Sequence, residues 1–158
     1  MNKNRKVIVY VDMDDTMFHY TKRYNELSSQ YKFPQSQRGF FENLQPIDGA
    51  IDAFHWLMKH SKFDPYILTA PSEMNPLCYT EKRNSIHRYF GSAGVSRLII
   101  SPVKHLSQGH ILIDDKSSGK GQDEFDGELI LFGSDEYPGW NVVIERMKRL
   151  TLFNTSRI

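Results

Sequence analysis

Cysteine is nearly absent from this chain: Cys78 stands alone, so no internal disulfide can form and a reducing compartment is the expected home. Net charge is almost absent too. Twenty Lys and Arg against nineteen Asp and Glu leave +1, which argues against a polyanion or a charged membrane surface as partner. No apolar run approaches the roughly 20 residues of a membrane span. The basic start, Met1 to Lys6, is followed by a short apolar stretch that ends in aspartates, which suits neither a leader nor a span. A cytoplasmic protein is expected. Internal repeats and low-complexity tracts are also missing. At 158 residues the chain suits one domain that buries about 70% of its unfolded surface.

What is present begins with Val7 to Val11, five apolar or aromatic residues that read as a strand buried on both faces. The strand runs directly into Asp12, Asp14 and Asp15. Asp12 and Asp14, two apart, would share a face on a strand. Two carboxylates at ~4 Å repel by about 4 kcal/mol at an effective dielectric near 20, and a bound cation or a shared proton would relieve that repulsion.

Further strands are expected at 66–69, 97–100, 110–113 and 128–132, and helices at 20–31, 50–58, 77–90 and 140–150. The helix at 50–58 is expected to be capped by Asp48, and the helix at 77–90 to be stopped by Gly91. Alternating strands and helices predict an α/β fold, Rossmann-like, with a mostly parallel sheet flanked by helices. Residues 1–18 and 49–158 form the expected core. Residues 19–48, with a Pro- and Gly-punctuated loop, read as a small helical cap inserted after the first strand.

Three strands end in polar groups: Asp12 and Asp14, then Thr69, then Asp114 and Asp115, with Lys104 in the loop feeding the last pair. In a parallel sheet these ends converge on the edge where α/β proteins bind ligands. Four aspartates against Lys104 alone call for a hard cation, and Mg²⁺ suits a carboxylate-and-carbonyl site. A phosphate ester entering such a pocket would need the metal and one protonated carboxylate. The chemistry this suggests has Asp12 attacking phosphorus to form an aspartyl-phosphate. Asp14, kept neutral by its acidic neighbours, serves as acid and then base. Thr69 and the amide at Ala70 would hold phosphate oxygens, and Lys104 would neutralise developing charge. Adjacent residues on a strand face opposite ways, so only one of Asp114 and Asp115 is expected to meet the metal directly.

These residues, in this order, resemble the four motifs of the haloacid dehalogenase superfamily of phosphatases, and within it the 5′(3′)-deoxyribonucleotidase family. Val11 to Asp14, Phe40 to Pro46 with Gly49-Ala50, Cys78 to Lys82 with Tyr89 to Gly91, and Lys104 ten residues before Asp114 all match that family. The resemblance implies an enzyme of deoxyribonucleotide catabolism that dephosphorylates nucleoside monophosphates. Asp12 is implied as nucleophile and Asp14 as acid/base, with the Asp14 main-chain carbonyl on Mg²⁺. Asp115 is implied as direct metal ligand with Asp114 beside it, Thr69 and Lys104 as phosphate ligands, and Tyr20 as a ring lining the nucleotide pocket. The expected partner is a small phosphate ester, with no nucleic-acid polymer, no membrane, and a homodimer allowed. The same chemistry on another small phosphate ester stays open, as does a binding module without catalysis.

The chain departs from the family at Asp15, where glycine is usual, at Ala70, where a serine hydroxyl is lost, and at Lys116, where an arginine-like position loses its planar fork. The cap is also short. Tyr20, Phe40 and Phe41 could clamp a base or simply pack the cap onto the core. Cys78 reads as an inert thiol, the six histidines as surface or packing residues, and Trp140 as an anchor for the last helix. Gly119-Lys120 lacks the upstream glycine of a phosphate-binding P-loop.

Overall fold

The computed structural model describes residues 5–153. Val7–Val11 forms β1 and occupies the centre of a five-stranded sheet ordered β3-β2-β1-β4-β5, with every pairing parallel. The other strands are β2 (Phe63–Thr69), β3 (Leu98–Ile100), β4 (Ile111–Asp114) and β5 (Glu128–Leu131). Val11 is in register with Ile67 on one side and Ile113 on the other, so β1, β2 and β4 end in one row. After β3 the chain crosses to the far side of β1 to start β4, which opens the switch-point crevice between β1 and β4. Asp12 and Asp114 stand at its two lips.

β2 starts three residues earlier than the apolar pattern suggests, because Asp64-Pro65 interrupts that pattern. Pro65 is tolerated because β3 joins β2 only from Ile67 onward, which leaves that edge unpaired at position 65.

The helices are α1 (Tyr20–Leu27), α2 (Ala50–Lys59), α3 (Cys78–Val95) and α4 (Trp140–Phe153). α1 is shorter than its apolar spacing implies, since Ser28 turns back to bond the Asn25 carbonyl and Tyr31 lies exposed. Asp48 does not cap α2. The N-cap is Gly49, whose φ of 80° suits a residue without Cβ, and no side chain bonds the first turn. Gly91 does interrupt α3 (φ 62°, ψ −157°), but the chain resumes helical turns to Val95.

The main core gathers Val9, Val11, Ile67, Ile111, Ile113 and Ile130 with residues of α2, α3 and α4. Alternate strand residues, Tyr10, Leu68 and Leu112, form a smaller cluster with Phe125 on the opposite face. His55 packs on the Phe90 ring, and His60 packs between Trp56 and Phe63. No helix among the described residues is long and apolar enough to cross a membrane.

Candidate active site

The loop after β1 is a tight knot. The amides of Met17 and Phe18 both donate to the Met13 carbonyl, at 2.9 Å each. Asp15 occupies the left-handed region (φ 56°), where an L side chain is strained and glycine is at ease. Its carboxylate accepts the Thr21 amide at 2.8 Å and the Thr21 hydroxyl as well, so it satisfies a free donor of the first turn of α1. That is the role of the departure from glycine: the backbone conformation is kept, and the side chain closes the start of α1. Trp140, almost fully buried, donates its indole N–H to the Thr16 carbonyl at 2.9 Å. The Thr16 hydroxyl accepts the Asp115 amide at 3.0 Å. The loop is thus fastened both to α4 and to the end of β4.

Lys104, buried in a short 3-10 turn, donates to Asp12 Oδ1 at 2.7 Å and to Asp114 Oδ2 at 2.5 Å. Burial works against its charge, but the two carboxylates outweigh it and hold its pKa above the ordinary lysine value. Asp12 is pushed up to about 7 by burial, with Lys104 opposing and Asp114 and Asp14 adding to the rise. Asp115 is raised by burial against the pull of Lys116, whose ammonium lies 2.5 Å from Asp115 Oδ2.

Asp114 has both oxygens engaged: Oδ2 with Lys104 and Gln122, Oδ1 with the Lys116 amide. Asp12 Oδ2 and Asp115 Oδ1 receive no hydrogen bond from the described residues. One oxygen each from Asp12, Asp114 and Asp115 lie within 4.8 Å of one another. That hard, all-oxygen set fits Mg²⁺, with Asp115 the freer of the two neighbouring carboxylates. Asp115 follows the last residue of β4, so the opposite facing expected along a strand does not separate the pair.

Asp14 meets a different environment from the acidic crowding its sequence neighbours suggest. Fully buried Lys82 of α3 donates to Asp14 Oδ2 at 2.8 Å, to Thr69 Oγ1 at 2.7 Å and to the Ala70 carbonyl at 2.7 Å, and lies over the Phe41 ring. Asp14 Oδ1 is buried and receives no hydrogen bond. The Thr69 hydroxyl accepts from Lys82 and keeps its own proton to donate. The preceding residue, Glu81, accepts the Gly39 amide at 2.6 Å and the Phe41 amide at 3.1 Å, and Asn75 donates to it at 3.3 Å. These contacts pin the return from α1 against α3.

Neither Glu81 nor Lys82 has a role that the sequence motifs assign. The available signal was their place in the stripe of Cys78, Ser85, Ile86 and Phe90, a buried helix face on which two charges need partners.

The cleft holds about 310 Å³ and is bordered by Asp12, Asp14, Tyr20, Phe41, Ala70, Lys104, Asp114, Asp115 and Lys116, all anticipated from the sequence. Asp15, Thr21, Ser72, Lys120 and Gln122 border it as well. Thr69 lies beneath, fully buried. Phe40 does not reach the cleft. It is buried against Tyr20 (ring centroids 5.4 Å) and Phe41 (5.0 Å), so it packs the segment onto the core. Cys78 is buried, accepts the Ser72 amide, and has its thiol pKa raised by burial, which leaves it unreactive. A larger groove of about 690 Å³ lies between α2 and α4, lined by Trp56, Trp140 and Ile144, away from this chemistry.

A parallel sheet whose switch-point crevice collects carboxylates, a buried lysine on two of them and a threonine hydroxyl defines a phosphate-handling α/β protein. Residues 17–151 match the family model described as 5′ nucleotidase, deoxy (pyrimidine), cytosolic type C protein. The chain belongs to that family, a family of phosphatases. It is 41% identical over 147 residues to a Vibrio phage KVP40 protein provisionally named 5′(3′)-deoxyribonucleotidase, covering 90% of this chain and 85% of that one. The human cytosolic-type 5′(3′)-deoxyribonucleotidase is 34% identical over 109 residues, covering 68% of this chain and 52% of that one. A solved structure from Burkholderia xenovorans LB400, provisionally described as a haloacid dehalogenase-like hydrolase, covers 79% of this chain and 80% of its own at 14% identity. Its TM-score is 0.46.

Proposed function

We propose that the protein is a Mg²⁺-dependent phosphomonoesterase acting on deoxyribonucleoside monophosphates through an aspartyl-phosphate on Asp12. The observation that carries this is the pairing of two buried lysines with two aspartates at one cleft: Lys104 on Asp12 and Lys82 on Asp14. Lys104 fixes the Asp12 carboxylate through Oδ1 and leaves Oδ2 free to attack phosphorus in line. As the ester P–O bond breaks, the leaving oxygen takes a proton from Asp14. In the second half Asp14 takes a proton from water, the water oxygen attacks phosphorus, and inorganic phosphate leaves with Asp12 restored. The Ala70 amide at the cleft would hold a phosphoryl oxygen, and the Thr69 hydroxyl, buried beneath with its lone pair on Lys82, would join it by turning into the cleft.

Asp12, Asp115 and the Asp14 carbonyl would hold Mg²⁺, which when bound would offset negative charge on the carboxylates and phosphate. We assign residues 19–48 the part of a cap, with Tyr20 and Phe41 bordering the substrate. The same chemistry on another small phosphate ester is a second reading. It is favoured by the burial of Phe40, which leaves Tyr20 as the half-exposed ring at the cleft.

Phosphate release across nucleoside monophosphates and sugar phosphates, with Mg²⁺ or with a chelator, tests both readings. Deoxyribonucleotide turnover that needs Mg²⁺ and disappears in Asp12→Asn is the expected result. Undiminished turnover in Asp12→Asn removes the nucleophile, and turnover of sugar phosphates alone removes the nucleotide.

A further inference from the structure

The segment Gly119-Lys120-Gly121, which as sequence lacks the P-loop pattern, takes a defined shape beside the cleft. Both glycines are in the left-handed region, with φ of 99° and 84°. A Cβ on Gly121 would come 2.5 Å from His105 Nδ1, so the loop closes tightly on the turn that carries Lys104. The Lys120 carbonyl accepts the Lys104 amide at 2.7 Å, and the Lys120 amide donates to Gln122 Oε1 at 2.8 Å. Buried Gln122 in turn donates to Asp114 Oδ2 at 3.3 Å. The backbone of Lys120 is therefore tied on one side to Lys104 and on the other, through Gln122, to Asp114. Its side chain borders the cleft and is exposed.

The other cations there are committed. Lys104 pairs with Asp12 and Asp114, Lys82 with Asp14, and Lys116 with Asp115. Lys120 has no carboxylate partner among the described residues. A phosphate monoester brings about two negative charges at neutral pH into a cleft already bordered by five aspartates. A cation free to pair with it, on a backbone already held in place, has only its side chain left to order on binding.

We infer that Lys120 is a substrate-binding residue whose ammonium pairs with the phosphate group of the monoester, an inference that rests on the phosphatase reading. It holds the anion without entering the bond changes at phosphorus, so its signature is affinity.

The experiment measures inorganic phosphate binding by calorimetry in Mg²⁺ buffer, and KM and kcat for deoxyribonucleoside monophosphates, in wild type, Lys120→Gln and Lys120→Arg. The side chain makes no hydrogen bond or ion pair with the described residues, so both variants should melt with the wild type. Lys120→Gln should weaken phosphate binding and raise KM by about tenfold, the loss of one charge-assisted hydrogen bond, with kcat little changed. The salt dependence of kcat/KM should flatten, and Lys120→Arg should restore all three. Unchanged phosphate affinity and KM in Lys120→Gln would overturn the inference. So would a loss confined to kcat, which would mean that the loop acts by placing Lys104. If the wild type releases no phosphate, the phosphatase reading fails separately, while inorganic phosphate binding still decides whether Lys120 holds the anion.

Discussion

Replacing Lys82 by methionine keeps most of its length and packing and removes its charge, its hydrogen bonds and its contact with the Phe41 ring. Breaking one side of a buried ion pair costs about 3–5 kcal/mol. Here the Asp14 side chain keeps 29% of its exposure, so water can recover part of that cost. The Thr69 hydroxyl and the Ala70 carbonyl each lose a donor as well, at about 1 kcal/mol apiece. We expect Lys82→Met to destabilise the fold by about 3 kcal/mol, within the ~5–15 kcal/mol that a domain holds. In a chain of this size that is a fall of about 6–12 °C in melting temperature. Urea unfolding followed by tryptophan fluorescence measures it, since Trp140 is buried against the motif loop. The electrostatic part is isolated by a cycle with Asp14→Asn, in which the Lys82 substitution should cost about 1–2 kcal/mol less. Phosphate release should also fall in Lys82→Met, because Asp14 and Thr69 lose the group that orients both. A cost below about 1 kcal/mol with no coupling to Asp14 would refute the reasoning, since such a lysine would not be a buried clamp.

Glu81→Gln should raise KM for nucleotides more than it lowers kcat, because one amide oxygen cannot hold both the Gly39 and Phe41 amides and the segment bearing Phe41 loosens. Matched steady-state kinetics check it, and an unchanged KM would remove the latch. Asp15→Gly should leave stability within about 1 kcal/mol, as relief at a left-handed position offsets the lost bonds to Thr21, whereas Asp15→Ala keeps the strain and should cost about 1–2 kcal/mol in the same urea assay. The metal-free protein should lose stability as pH rises through about 7. Asp12 has a folded pKa raised to about 7 from an unfolded value of 3.8, so the folded state binds the extra proton and this contribution is full below about pH 4. Asp12→Asn should flatten that slope in thermal melts between pH 4 and 8, and an unchanged slope would place the titration elsewhere.

Much of this site could be read along the chain because its groups end strands. A buried strand declares itself by an apolar run, and the polar residue that stops the run marks the edge of the sheet. For that reason Asp12, Thr69 and Asp114 could be placed together before any pairing was known. The sheet then supplied the register, with Val11 beside both Ile67 and Ile113, that turns three separate ends into one crevice. Helix-borne and loop-borne groups carry no such signal. Lys82 sits 68 residues from Asp14 and meets it only because α3 brings Lys82 to the end of β2, at Thr69 and Ala70, beside the loop that follows β1. Among the described residues, Lys120 becomes a free cation at the cleft only after every other lysine there has found its carboxylate. The sequence by itself determined the α/β class, the aspartates and the lysine of the motifs, and a preference for a hard cation, because those follow from residue type and order. The tertiary structure alone decided which charges are paired, which oxygens stay open and which aromatics face the cleft, because those depend on distances between segments far apart along the chain.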